Sequence, residues 1–186
     1  MKIAVYGSAS GKYSEETNKK ARIIGREIAK QGHILVTGAC SGYPYEAVLG
    51  AKEENGKTIG FSPARNKEEH ISIAYPIEGF DEMIFIPEKI PTDYIDHNDD
   101  IIRKITRNLA STSHTDAAII IAGGSGTLDE FNHAFCFGKK IGILKGSGGV
   151  TKRVIPNLIE DNYRDFGAKV FFEEDPIKLV NKIVNI

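Results

Sequence analysis

Residues 119–131 read IIIAGGSGTLDEF. Three isoleucines run straight into Gly123 and Gly124. Ser125, Gly126 and Thr127 come next, then a carboxylate pair, Asp129 and Glu130. An apolar run without alternation fits a strand buried on both faces, as in a parallel sheet covered by helices. Glycines directly after it let the backbone turn tightly and come close to another group. A helix starting there offers free N–H groups and a positive dipole end, which suits an anion. The stretch therefore predicts a strand, a ligand loop and a helix, in that order.

The same grammar recurs along the chain. KIAVYG (2–7) reads as a buried strand followed by the loop GSASG, Gly7 to Gly11. HILVTG (33–38) reads as a second strand, followed by TGACSG, Thr37 to Gly42. KTIGF (57–61), DEMIFI (81–86), AAIIIA (117–122), KIGIL (140–144) and KVFF (169–172) supply further strands. Helical periodicity predicts helices over 13–31, 45–55, 95–113, 128–138 and 154–161, and Pro176 opens a last one. Such alternation means α/β: a Rossmann-like, doubly wound, mostly parallel sheet of about seven strands flanked by helices. No composition shift marks a boundary, so residues 1–186 read as a single domain. Residues 62–80, SPARNKEEHISIAYPIEGF, read as a long connection without clear periodicity, the kind that forms a lid or a disordered segment.

Lys and Arg number 24 against 25 Asp and Glu, a net charge of -1. That balance leaves no electrostatic footprint for long nucleic acid or for a membrane surface. Two cysteines, Cys40 and Cys136, make no disulfide framework and read as reduced thiols. The N-terminal apolar run is too short for a signal peptide, and no stretch has transmembrane length, so a cytoplasmic location is expected.

The three loops follow the carboxyl ends of parallel strands and so share one edge of the sheet, where ligands of open α/β sheets bind. Gly7, Ser8, Gly38, Gly42, Gly123, Gly124, Ser125, Gly126 and Thr127 are the candidate phosphate or nucleotide contacts. The first loop is not G-x-G-x-x-G, the second strand lacks an acidic ribose partner, and no Walker A pattern is present, which argues against a dinucleotide or a P-loop. Glu130 has two readings. Thr127-x-x-Glu130 fits a capping box. Alternatively, a carboxylate beside a bound phosphosugar stabilises an oxocarbenium-like centre or aligns a water. Arg103 and Arg107 lie one turn apart, opposite Ile102, Ile105 and Leu109; periodicity alone makes them a solvated face. Glu130-x-x-His133 lacks the partners of a metal site, DYIDHNDD (93–100) has no metal-ligand spacing, and Cys40 reads as a packed thiol.

VYGSASGKY, LVTGACSG and RNLASTSHTDAAIIIAGGSGTLDEF resemble, in order and spacing, the LOG family, the cytokinin-activating phosphoribohydrolases often labelled "possible lysine decarboxylase". The most specific element is the motif P-G-G-x-G-T-x-x-E, matched by Ala122 to Glu130. The resemblance implies a Rossmann-like homodimer, an N-glycosidase that cleaves a nucleoside 5′-monophosphate to a free base and ribose 5-phosphate. It implies Glu130 and Arg107 as the catalytic pair, the loop from Gly123 to Thr127 as the 5′-phosphate seat, and no metal or organic cofactor. Phe131, Phe135 and Phe137 are the candidate dimer contacts. The chain departs from the family in places: the Arg-Lys pair is Arg107-Asn108, a second basic position is Ser113, and the motif's proline is Ala122. The pattern G-G-G-x-x-G-L-M-G is GACSGYPYEA here. These departures resemble a branch related to molybdenum-cofactor carriers and to the Rossmann part of DprA-type proteins. A non-catalytic carrier of a nucleotide or phosphorylated cofactor is thus the alternative.

Overall fold

The structure, a computed structural model, describes residues 1–10, 14–86, 99–161 and 164–185. Seven strands form one sheet: β1 (Lys2–Gly7), β2 (Ile34–Thr37), β3 (Thr58–Ser62), β4 (Glu82–Phe85), β5 (Ala117–Ile121), β6 (Lys140–Leu144) and β7 (Lys169–Glu173). Their order is β4-β3-β2-β1-β5-β6-β7, and every pairing is parallel. The chain direction across the sheet reverses between β1 and β5, which pair from Ile3 opposite Ala117 to Gly7 opposite Ile121. Loops leaving β1 and β5 diverge there to opposite faces, opening the crevice in which such folds bind ligands.

Alternate residues of the central strands feed two cores. On one face Ile3, Val5, Ile119 and Ile121 pack with α1 (Glu15–Lys30), α2 (Tyr43–Glu53) and α7 (Pro176–Val184) through Ile24, Ala47 and Leu179. On the other, Ala4, Tyr6, Ala118 and Ile120 pack with α5 (Ser125–Cys136) and α6 (Val154–Glu160) through Phe131 and Ile155. Burial on both sides explains the unbroken apolar runs.

Helix α4 (Asp99–Ser113) overturns its expected orientation. Ile105 and Leu109 are 51% and 43% exposed, Ile101 is 55% exposed, and Arg103 is 2% exposed. The polar face turns inward because the strand ends offer carbonyls that need donors. Arg103 Nε donates to the Pro63 carbonyl at 2.7 Å, and its Nη2 donates to the Ile86 carbonyl. Tyr6 donates to Ser111 Oγ at 3.0 Å, so the buried hydroxyls are also satisfied. Residues 95–98 of the expected helix, and most of DYIDHNDD, lie outside the described residues.

The 62–80 connection is also more ordered than its sequence pattern indicates. It contains α3 (Lys67–Ser72), capped by Asn66, whose side chain accepts from the Glu69 N–H at 2.9 Å. His70 is fully buried, its ring nitrogens bonded to Ser62 Oγ at 2.8 Å and to the Pro76 carbonyl at 3.0 Å. One side chain thus ties both ends of the segment to β3.

Helices α1 and α2 touch backbone to backbone. A Cβ at Gly25 would overlap the Ala47 carbonyl, and one at Gly50 would overlap the Arg22 carbonyl. Gly25→Ala gains about 1 kcal/mol of helix propensity but forces the helices apart, and overpacking of this kind costs about 1–3 kcal/mol or more. Urea unfolding of Gly25→Ala is expected to show a net loss of stability.

Candidate functional site

The β5 loop joins its strand to α5 through two left-handed residues, Ala122 (φ 53) and Gly123 (φ 89). The Ala122 conformation bears on the motif. Proline is locked near φ −65°, so this loop follows a path that the motif's proline cannot adopt. A side chain at Gly123 would overlap Thr127, which packs down over the turn.

Helix α5 begins at Ser125, three residues earlier than its periodicity predicts, with Gly124 as N-cap and no side-chain capping bond. Glu130 is therefore the sixth residue of the helix rather than part of its first turn, and the capping-box reading of Thr127 and Glu130 fails. The early backbone N–H groups of α5, from Ser125 to Thr127, have no partner within the helix, as at any helix start.

The neighbouring loops position this one. Gly123 donates its N–H to Ser8 Oγ at 2.9 Å, and Ser8 donates its own N–H to the Ile121 carbonyl at 3.3 Å. Ser8 and Gly123 thus spend these groups on each other and on the strand. Gly7 permits close approach of β1 to β5, since a Cβ there would overlap the Ile121 carbonyl. Gly42 (φ 80) caps α2. A fourth glycine run, after β6, was not among the candidate contacts. Ser147 Oγ accepts from the Ala122 N–H at 2.8 Å, and Val150 donates its N–H to the Gly123 carbonyl at 3.0 Å. Gly149 packs against the Gly123 backbone so tightly that any Cβ would overlap it. The run KGSGG (145–149) carried that signal in the sequence.

Arg107 and Glu130 are brought together. Arg107 Nη1 donates to the Gly38 carbonyl at 2.6 Å, and Gly38 has no room for a Cβ because the guanidinium occupies the space. Gly38 thus seats the arginine, and Arg107 Nε is buried with no partner among the described residues. Glu130 is 6% exposed. Burial pushes its carboxyl from 4.5 up to about 7, with Arg107 opposing the shift and Asp129 adding to it. Cys40 is buried in the same group. Burial raises its thiol, with Arg107 opposing and Glu130 adding, so it stays a packed thiol despite the arginine beside it. Tyr6, beneath them, is raised by burial and then by Glu130.

Asn108, next to Arg107, donates from Nδ2 to Asp129 Oδ2 at 2.8 Å. Ser125 and Asp129 line one cavity of about 360 Å³ with Leu128, Asn132 and Leu158. A separate cavity of about 130 Å³, bordered by Pro63, Glu69 and Arg103, includes none of the Glu130 group. His133 stands 3.7 Å from Asp129 Oδ1, and no cluster suited to a metal occurs among the described residues.

Comparison with known proteins matches the SLOG cluster4 family model over residues 1–180. The chain belongs to the SLOG cluster4 family. An uncharacterized protein of Archaeoglobus fulgidus is 30% identical over 145 residues, 78% of this chain and 80% of that one. Three solved structures show the same fold as this SLOG cluster4 chain. TM1055 aligns with TM-score 0.79 at 20% identity, covering 100% of this chain and 99% of that one. The molybdenum cofactor carrier protein of Chlamydomonas reinhardtii aligns with TM-score 0.69 at 22% identity, covering 100% and 98%. DNA processing protein A of Helicobacter pylori, described with a single-stranded DNA binding mode, aligns with TM-score 0.67 at 19% identity, covering 100% and 80%.

The raised carboxyl has a consequence for stability. Unfolded Glu130 titrates at its ordinary 4.5, folded Glu130 at about 7, so between those values the folded state holds the extra proton. The contribution of this group to stability is full below pH 4.5 and is lost as pH rises to about 7, by roughly 3 kcal/mol. Glu130→Gln removes this loss. Urea midpoints at pH 4.5 and pH 8 are expected to diverge more for the wild type than for Glu130→Gln.

Proposed function

We propose that the protein is a nucleoside 5′-monophosphate phosphoribohydrolase. The observation that carries the reading is Glu130: a buried carboxyl beside Arg107, pushed to about 7, at the ligand edge of the sheet and with no capping role. Titratable groups perturbed in this way are typical of catalytic acids and bases. In the proposed reaction the 5′-phosphate seats on the N–H groups opening α5. The C1′–N bond breaks, the base leaves with the bonding pair and takes a proton from solvent water, and positive charge develops on the ribose. Glu130 as carboxylate stabilises that charge and accepts a proton from the water that attacks C1′. Arg107 favours the ionised form of Glu130 and so sets the pH at which the site works.

The alternative is a carrier that holds a nucleotide or phosphorylated cofactor without chemistry. It is favoured by the left-handed Ala122 where the hydrolase motif has proline, and by Asn108 and Ser113 at the motif's basic positions. The fold shared with the molybdenum cofactor carrier protein is compatible with it. A screen of nucleoside monophosphates, phosphorylated cofactors and single-stranded DNA separates the readings: release of free base supports the enzyme, and tight binding without turnover supports the carrier. Glu130→Gln is expected to cut turnover by on the order of a hundredfold or more, since losing one charge-stabilising or acid–base group commonly does so. The profile of kcat/KM is expected to rise with pH through about 7, the value to which Glu130 is pushed, and Glu130→Gln is expected to flatten that limb. Full activity in Glu130→Gln contradicts the enzyme reading.

Assembly as a homodimer belongs to the same proposal. Phe131, one of the expected contacts, is fully buried inside the monomer and stacks on Phe135 at 5.8 Å. The better surface is α4, where Ile101, Ile105 and Leu109 form an exposed apolar stripe at i, i+4 and i+8, on the helix that carries Arg107. Light scattering at micromolar concentration is expected to give a dimer mass for the wild type and a monomer mass for Ile105→Asp. A monomeric wild type rules the dimer out.

A further inference from the structure

Strand β7 (Lys169–Glu173), KVFFE, forms one edge of the sheet and pairs with β6 alone among the described residues. The alternation of a parallel ladder fixes which of its backbone groups are used. Lys169 donates its N–H to the Lys139 carbonyl at 3.1 Å, and the Lys145 N–H donates to the Glu173 carbonyl at 2.8 Å. Lys169, Phe171 and Glu173 therefore turn their backbone groups toward β6. Those of Val170 and Phe172 face outward, with no partner among the described residues. Natural sheets blunt such an edge with proline, a bulge or an inward-pointing charge. The register of β7 runs without a bulge, its sequence has no proline, and its charges stand only at the two ends. Phe172 is 37% exposed. An edge left open in this way is a template for a further strand.

The charges on β7 say which strand. Two antiparallel copies related by a two-fold axis at Phe171 set Val170 of one opposite Phe172 of the other, so the outward groups meet as hydrogen-bonded pairs. Lys169 then stands opposite Glu173 of the other copy, and symmetry repeats the pair. Phe171 is in register with Gly142, where a Cβ would meet Leu179 and Ile183, so Lys169, Phe171 and Glu173 share the α7 face of the sheet. Lys169 is exposed and makes no ion pair among the described residues. Glu173 is held in place: it accepts from Lys182 Nζ at 2.8 Å and from the N–H groups of Glu174 and Asp175. Other registers fit worse. A slide of one residue sets outward groups against inward ones. A slide of two sets Lys169 or Glu173 opposite Phe171 and leaves the charges unpaired. The strand is thus complementary to itself in one register.

We infer that β7 pairs edge to edge with β7 of a second copy of this chain, antiparallel about Phe171, so that two sheets join into one continuous sheet. This surface is separate from the apolar stripe on α4. Helix α4 packs against α5 and β3, whereas β7 ends the sheet beyond β6. Two β7 edges stay open in a dimer built through α4, and their pairing joins such dimers into larger assemblies. Five residues a side make a contact smaller than a stable interface needs, so the pairing is weak and concentration-dependent. It does not depend on what the Glu130 site binds or does.

The test is sedimentation equilibrium of the Ile105→Asp protein, whose α4 stripe is interrupted, at concentrations up to roughly hundreds of micromolar, where a contact this small is populated. A dimer is expected. Lys169→Glu and Glu173→Lys, each added to that protein, set like charges opposite one another and are expected to weaken the dimer by roughly tenfold or more. Mixing the two variants sets opposite charges across the axis again, and a mixed dimer of the original strength is expected. If Glu173→Lys does not fold, Phe172→Pro serves instead: it removes an outward N–H, spares the ladder to β6 and is expected to abolish the dimer. Hydrogen exchange gives a second reading. The Val170 and Phe172 amides are expected to slow as concentration rises, while the Phe171 amide is slow throughout. If Ile105→Asp is still a dimer at micromolar concentration, the α4 contact is contradicted, and the Val170 and Phe172 amides still decide this one. A monomer at every concentration overturns the inference. So does a dimer indifferent to the charge reversals, or growth in mass without limit, since the edge then has no register. A dimer lost in both variants and not rebuilt by mixing them overturns the two-fold pairing.

Discussion

A carboxylic acid taken out of water and set beside a guanidinium is the constraint on which the rest of this site depends. Glu130 is buried, and its ionised form has Arg107 for electrostatic support while Asp129 works against it. Desolvation wins over the attraction of Arg107, so the acid titrates near neutrality rather than in the usual carboxylate range. Holding it there requires the arginine to be fixed in turn. The Gly38 carbonyl does this, in a space that only glycine leaves open. Cys40 and Tyr6 complete the low-dielectric surroundings.

The loops around this pair share their hydrogen bonds in a way that separates scaffold from contact surface. Ser8, Gly123, Ser147 and Ala122 satisfy one another across β1, β5 and β6, which stiffens the edge of the sheet at its switch point. The start of α5 lies outside that network. Two alanines, Ala39 and Ala122, hold left-handed backbone in the β2 and β5 loops, at φ 49 and φ 53. Such conformations cost a non-glycine residue of order 1 kcal/mol, so part of the stability of the sheet is spent on the shape of these loops.

Much of the fold was legible in the sequence because the parallel sheet writes itself in unbroken apolar runs, and each of the seven runs is a strand. The meeting of the loops at one edge of the sheet was legible for the same reason, since glycines follow those runs. Three features were hidden. The faces of α4 reversed because Arg103, Ser111 and Thr112 find carbonyl and hydroxyl partners from distant parts of the chain, which periodicity cannot register. The order in residues 62–80 hangs on buried His70, whose partners Ser62 and Pro76 are not evident from spacing. The capping box at Thr127 was a local pattern overridden by an earlier helix start at Ser125, and that override leaves Glu130 without a capping role.

Carbon-13 NMR titration of the Glu130 side-chain carboxyl tests the central claim most directly, with Glu130→Gln used to assign the resonance. The account predicts a midpoint near 7, as burial beside Arg107 requires. A midpoint at the ordinary 4.5 would contradict it, because the carboxyl would then be solvated or fully ion-paired and not poised for proton transfer.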